Sequence, residues 1–230
     1  MSKTKNHCDV KSCFMCQHCL PDWLQLVAIH KKNLFYKKGE TIFTEGEPVA
    51  GIYFLYRGKV KVHKQWGQEK ELIVRFAKDG DIVGHRGFGS NSTYPVSASA
   101  LVPTTICFIE MDFFLSTLKT NPGLTFKLMM FYAHELQSVE HRMRNLVHMD
   151  MKGRIADSLL MLKEQFGLDE DGNINIVTSR QDLASYAGTS YESIFRIMNE
   201  LVNDKVIEVK DKNIKIINEH QLQTYTAASV

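Results

Sequence analysis

The chain has 230 residues, 44% of them apolar and 23% charged, with a formal net charge of +2. That suits one large or two modest domains with proper cores and excludes a disordered chain. No apolar run approaches the ~20 residues of a membrane span, and the first five residues lead into cysteines instead of a signal-peptide core, so a cytoplasmic location and no membrane partner are expected. Residues 31–80 carry eleven Lys and Arg against six Asp and Glu, whereas residues 151–230 carry nine against twelve. Any nucleic-acid binding by the C-terminal third therefore needs locally placed cations.

Residues 1–22 form a cysteine-rich arm. Cys8, Cys13, Cys16 and Cys19 crowd it, and Cys107 stands far away. An odd number of cysteines argues against a structural disulfide framework and towards metal binding or redox sensing. Zinc would accept the four arm cysteines, or His7 or His18 in place of one. A thiol–disulfide switch needs no metal, and Cys107 also reads as a small apolar residue in a strand.

Residues 23–120 read as a domain of short strands, such as Ile52 to Leu55 and Val60 to Val62, separated by Gly39, Gly46, Gly58, Gly67, Gly80 and Gly84. Turn signals at this spacing predict an antiparallel roll or barrel. Gly84, His85 and Arg86 are candidates for an effector pocket, with a surface turn as the plainer reading.

Residues 121–150 follow, lacking glycine and proline from 124 to 149. Met129, Tyr132, Leu136, Val139, Met143 and Leu146 alternate spacings of three and four, a heptad seam that predicts a dimerisation helix. The alternative is a helix packed on its own domain. Glu135, Glu140, His141, Arg142 and Arg144 are expected beside the seam in solvent. A second helix runs from Met151 to Phe166 and stops at Gly167. The acidic run Asp169 to Gly172 lacks the further oxygen ligands of a calcium loop and reads as a turn.

Residues 151–230 carry the reading head. Thr178 and Gln181 have capping-box spacing before a brief helix to Tyr186. Ala187, Gly188 and Thr189 make a turn, and a second helix starts at Ser190. Two short helices about a glycine turn form a helix-turn-helix whose second member enters the major groove. Tyr191, Glu192, Phe195 and Arg196 fall on its outward face. Arginine pairs with guanine O6 and N7, and glutamate accepts from cytosine N4. Glu192 also has capping-box spacing from Thr189, and Phe195 suits either a thymine methyl or packing beside the wing. Ser179, Arg180, Thr189, Ser193 and Lys212 are candidate phosphate contacts. Val206 to Val209 and Ile214 to Ile217 predict a wing hairpin around residues 210–213.

From about Trp23 onward the chain resembles Crp/Fnr transcription regulators, on Gly39, Glu40 to Gly46, Tyr53 to Gly58, Gly80 to Gly84, the long helix, and Glu192 to Arg196. The resemblance implies an α+β chain with a cyclic-nucleotide-binding-like jelly roll, a dimerisation helix and a C-terminal winged helix-turn-helix. It implies a homodimer on a palindromic operator, with double-stranded DNA and RNA polymerase as partners. Glu192 and Arg196 occupy the family's usual reading positions, and Phe195 replaces a small residue. Members that bind cyclic AMP carry Gly-Glu and Arg-Ser pairs. Here Gly84 precedes His85, and the later positions fall near Tyr94, Pro95 and Val96, so cyclic AMP is not expected. The Fnr branch holds a [4Fe-4S] cluster on N-terminal cysteines and one in the roll. Cys13, Cys16, Cys19 and Cys107 match those ligands, with a closer Cys16–Cys19 spacing than the better-known pattern and Cys8 spare. A metal- or ligand-binding regulatory subunit that does not touch DNA is the rival reading. An enzyme is not expected, because His63, His85 and the carboxylates form no recognisable catalytic motif.

Overall fold

The repeated glycines belong where only glycine fits. At Gly58 φ is 134°, and a Cβ there would stand 2.3 Å from Thr104 Oγ1, so the chain must reverse on a residue with no side chain. The computed structural model describes residues 13–67, 70–89 and 92–227, so His7 and Cys8 lie outside the described residues. Contacts divide the chain into Met1–His134 and Glu135–Val230.

In the first unit, α1 (Trp23–His30) leads into β1 (Lys32–Tyr36), β2 (Thr41–Phe43), β3 (Gly51–Arg57), β4 (Val60–Trp66), β5 (Lys70–Ala77), β6 (Ile82–Val83), β7 (Ser97–Ala100) and β8 (Thr104–Glu110). They form two antiparallel four-stranded sheets, ordered β1-β8-β3-β6 and β2-β7-β4-β5. Tyr53, Leu55, Ile106 and Phe108 from one sheet meet Phe43, Val60, Val62 and Ala98 from the other in an inner core. The intervening residues Ile52, Phe54, Cys107 and Ile109 face the opposite way, into a second core closed by α2 (Met111–Thr120), the start of α3 (Pro122–His148) and the cysteine arm. Side chains alternate along a strand, and β3 and β8 bury both faces. Each large apolar side chain buried here contributes about 1.5–3 kcal/mol.

The second unit holds α4 (Met151–Phe166), α5 (Arg180–Ala187), α6 (Tyr191–Asn203), β9 (Ile207–Lys210), β10 (Asn213–Ile216) and α7 (Glu219–Ala227). Ile155, Leu159, Leu183, Ile194, Ile197, Leu201 and Val206 are buried in it. The wing loop is shorter than expected, because Lys210 pairs with Asn213 in the ladder and leaves two residues at the tip; Asp211 there takes φ 58°. Asp169 keeps its carboxylate for its own turn, accepting from the Asp171 and Asn173 backbone N–H groups, as a solvated turn should. Helices α1, α2 and α7 were not expected from the sequence. In α7 only Leu222 is buried, which leaves too weak an apolar period to read.

Candidate nucleic-acid interface and cysteine site

Both helices of the reading head are capped one residue later than their spacing suggests. Ser179, not Thr178, is the N-cap of α5, and its Oγ accepts from Asp182 N at 2.9 Å. Ser190, not Thr189, caps α6 and accepts from Ser193 N at 3.1 Å. Hence the Thr178–Gln181 box is corrected to Ser179–Asp182, and Glu192 has no capping bond with Thr189. Such caps contribute roughly 1 kcal/mol each. Gly188 ends α5 in the left-handed region, and its missing Cβ would sit 2.5 Å from Leu146 Cδ2.

Ile194, Ile197, Met198 and Leu201 turn α6 onto the core, so Tyr191, Glu192, Phe195 and Arg196 are left on its exposed side. Arg196 donates to Glu200 at 2.7 Å, an exposed pair worth little that a base edge can replace. The Arg180 guanidinium lies over the Phe195 ring, 5.5 Å from its centre. Between α5, α6 and the wing a cleft of about 330 Å³ is lined by Arg180, Tyr191, Met198, Val209 and Lys212 among others. Arg180 and Lys212 thus bring two cations to one cleft of an otherwise acidic third, although Asp211 lines it too. Ser179 Oγ also donates to Asp182 and Ser190 Oγ to Ser193 Oγ, while Thr189 Oγ1 is buried with no hydrogen-bond partner among the described residues.

Along α3, Met129, Leu136, Val139, Met143 and Leu146 are exposed, as are Phe126, Met130 and Val147, which heptad spacing missed. Tyr132 differs: it is half-buried and donates to His85 O at 2.5 Å. Arg142 is not solvated as expected. It donates to Tyr186 O at 2.8 Å and lies over that ring at 4.5 Å. Arg154 reaches the Met149, Ala187 and Gly188 carbonyls, fastening the ends of α3 and α5 together. A separate close approach was signalled by Gly153, a glycine inside a helical pattern, where a Cβ would meet Met149 and the Tyr225 carbonyl of α7.

Cys13, Cys16 and Cys107 are buried in the outer core with Cys19 packed against it. Long-range bonds hold the arm there, Phe14 N to Gly80 O and Leu20 N to Asn121 Oδ1 among them, and Trp23 Nε1 at the start of α1 donates to Thr117 Oγ1. Cys107 lies opposite Asn33 and donates to its Oδ1 at 3.5 Å. Burial first, and Cys13 second, push the Cys19 thiol up to about 11. Among the described residues no three His, Cys, Asp or Glu side chains come close enough to share one metal ion. The donor set nonetheless suits a larger group: four thiols within one apolar enclosure are the number and type an iron–sulfur cluster requires.

The expected effector turn is not a surface feature. Gly84 takes φ 81°, and His85, only 3% exposed, lies under Phe131 and Tyr132, with Arg86 half-buried. Inside the roll the Tyr94 ring stacks on Phe43 at 4.3 Å, and its hydroxyl donates to Gly51 O at 2.8 Å. The structure also assembles a row that the sequence did not suggest: Ser99 Oγ to His63 Nε2 at 3.0 Å, and His63 Nδ1 to Glu71 at 3.1 Å. Glu71 is shared with Lys61 and serves to tie β4, β5 and β7.

A cyclic nucleotide-binding domain matches residues 33–121, and a Crp-like helix-turn-helix domain matches residues 153–225. The chain is 27% identical to the transcriptional activator protein Anr of Pseudomonas aeruginosa, over 94% of this chain and 91% of that one. It is also 27% identical to the cAMP-activated global transcriptional regulator CRP of Salmonella typhimurium, over 82% and 89% respectively. The structure of FixK2 from Bradyrhizobium japonicum superposes with a TM-score of 0.77 at 23% identity, over 87% of this chain and 99% of that one.

Proposed function

Because the chain belongs to the Crp/Fnr family of transcription regulators, we propose that it works as a homodimer reading a palindromic operator, with its cysteine arm as the redox or oxygen input. It is a DNA-binding regulator and not an enzyme, and the matched helix-turn-helix sets aside a subunit that never touches DNA. No described helix is long and apolar enough to cross a membrane; a cytoplasmic location, with RNA polymerase as a partner, is part of the proposed role on DNA.

The observation that carries the reading is the outward face of α6. Tyr191, Glu192, Phe195 and Arg196 stand exposed at the start of a capped helix that packs through Ile194, Ile197, Met198 and Leu201, which is the arrangement that lets N-terminal residues of a recognition helix reach base edges. Glu192 and Arg196 read bases; Ser179, Arg180, Thr189, Ser193 and Lys212 surround them for the phosphates. The exposed stripe of α3, from Met129 to Leu146, is the dimer contact, and Tyr132 ties that helix to the roll. The domain limits follow as arm 1–22, roll 23–120, dimerisation helix 121–150 and reading head 151–230.

For the signal, Cys13, Cys16, Cys19 and Cys107 would hold a [4Fe-4S] cluster, which when bound supplies reactivity towards oxygen. A single zinc would hold thiolates only about 3.8 Å apart at its usual bond length, and the described cysteines would have to be drawn together for it. The chain's own residues exclude water around the thiols and connect them to α3. The Phe14 ring packs edge-on to Phe131 at 5.5 Å, and Phe131 packs on His85, so a change at the arm bears directly on the helix that carries the seam. Cyclic AMP is left out of this proposal: Tyr94 stacks on Phe43 inside the roll, and Tyr94, Pro95 and Val96 stand where cyclic-AMP-binding members carry their Arg-Ser pair.

Two measurements test this. Protein purified without oxygen should contain iron and sulfide with visible absorption, and Cys107→Ser should lose most of both while keeping its fold; equal iron in variant and parent defeats the cluster. Arg196→Ala should lower affinity for a selected operator at least tenfold without changing the oligomeric state. Failure to select any specific duplex, in the presence or absence of oxygen, defeats the operator-reading role.

A further inference from the structure

Phe195 is the one exposed phenyl group among the acidic, basic and phenolic side chains of the reading face. It is 50% exposed, although the other apolar residues through the middle of α6 are buried. Its ring lies against the Arg180 guanidinium of α5. Arg180 Nη1 is buried with no hydrogen-bond partner among the described residues, so the ring is part of what holds the guanidinium, and the guanidinium in turn restricts the ring. One side of Phe195 is thus occupied, and the rest points out beside Arg196 and Tyr191, both exposed.

Each base presents different chemistry to such a group in the major groove. Guanine, adenine and cytosine offer only donors and acceptors there, whereas thymine also offers its C5-methyl. A phenyl ring laid against an amino group or a ring nitrogen strips it of water and returns no hydrogen bond. Against the methyl it buries apolar surface. Resting on the operator-reading role proposed above, we infer that Phe195 is a specificity residue selecting thymine by its methyl beside the base pair read by Arg196, and that Arg180 positions the ring.

The test removes the methyl alone. An operator is selected from random duplexes with the full-length chain, and each selected thymine is replaced by deoxyuridine. Burying one methyl corresponds to about fourfold in affinity per half-site, or roughly fifteenfold when both half-sites of a dimer are changed. The parent should show this loss at one thymine per half-site. Phe195→Ser should bind with no such loss, Phe195→Leu should keep part of it, and Arg180→Ala should reduce it. A purely phosphate-binding arginine would instead weaken thymine and deoxyuridine duplexes equally, which would remove the positioning role. Absence of any deoxyuridine penalty in the parent, or an equal penalty in Phe195→Ser, overturns the thymine assignment while leaving operator reading intact. Selection of no duplex by the parent overturns both.

Discussion

Replacing Gly188 by alanine loads the turn of the reading head in two separable ways. The residue has φ 63° and ψ 43°, a left-handed conformation that costs an L side chain about 1–2 kcal/mol. The new Cβ also meets Leu146 Cδ2 at 2.5 Å. That atom is the far end of a flexible side chain, so the overpacking should add about 1–2 kcal/mol and not the upper end of the usual range. Gly188→Ala is therefore expected to destabilise α5 and α6 by about 2–4 kcal/mol. In a Leu146→Ala background only the conformational part, about 1–2 kcal/mol, should persist. Amide hydrogen exchange of peptides spanning α5 and α6 in the intact chain measures both; Trp fluorescence would not, because Trp23 and Trp66 both lie in the first unit. A cost below about 0.5 kcal/mol, or the same cost in both backgrounds, would refute the packing of Leu146 on the turn.

His63 first, and Lys61 after it, hold the Glu71 carboxyl down at about 2 from its ordinary 4.5. A lowered folded-state value means stability that is present above pH 4.5 and lost as pH falls through about 2. After allowance for partial exposure this is on the order of 1–2 kcal/mol, so urea titrations between pH 5 and pH 2 should be less steeply pH-dependent for Glu71→Gln than for the parent. Equal pH dependence in both would remove the network's role. On α3, Leu136 and Met143 are each 61% exposed. Leu136→Glu should leave the single chain folded, shift the sedimenting species from dimer to monomer and weaken operator binding at least tenfold; an unchanged dimer would place the contact elsewhere. Loading of the cysteine site should rise with pH, because the Cys19 thiol, lifted to about 11, must lose its proton to become a ligand. Reconstituted iron that is constant from pH 6.5 to 8.5 would count against Cys19.

The amino-acid order by itself determined the parts whose physics is local. A heptad stripe, two short helices about Gly188 and the alternation of the wing declare themselves within a few turns of chain, since periods of 3.6 and 2 need no distant partner. The outward set Tyr191, Glu192, Phe195 and Arg196 was legible for that reason. Tertiary structure decided between neighbours with equal local claims. Thr178 and Ser179, or Thr189 and Ser190, offer equivalent hydroxyls, and the backbone entering each helix chose the second of each pair. It also withdrew Tyr132 and Arg142 from the positions their spacing suggested, because His85 O and Tyr186 O supply acceptors that lie far off in sequence. Cys107 is the sharpest case. It sits in an apolar run, Ile106 to Ile109, in a strand buried on both faces, so no polar alternation reveals which way it points. Only the pairing of β8 with β1 and β3, and the arm folded over the outer face, turn its thiol away from the interior of the roll and into the outer core that also takes in Cys13 and Cys16, with Cys19 packed against it.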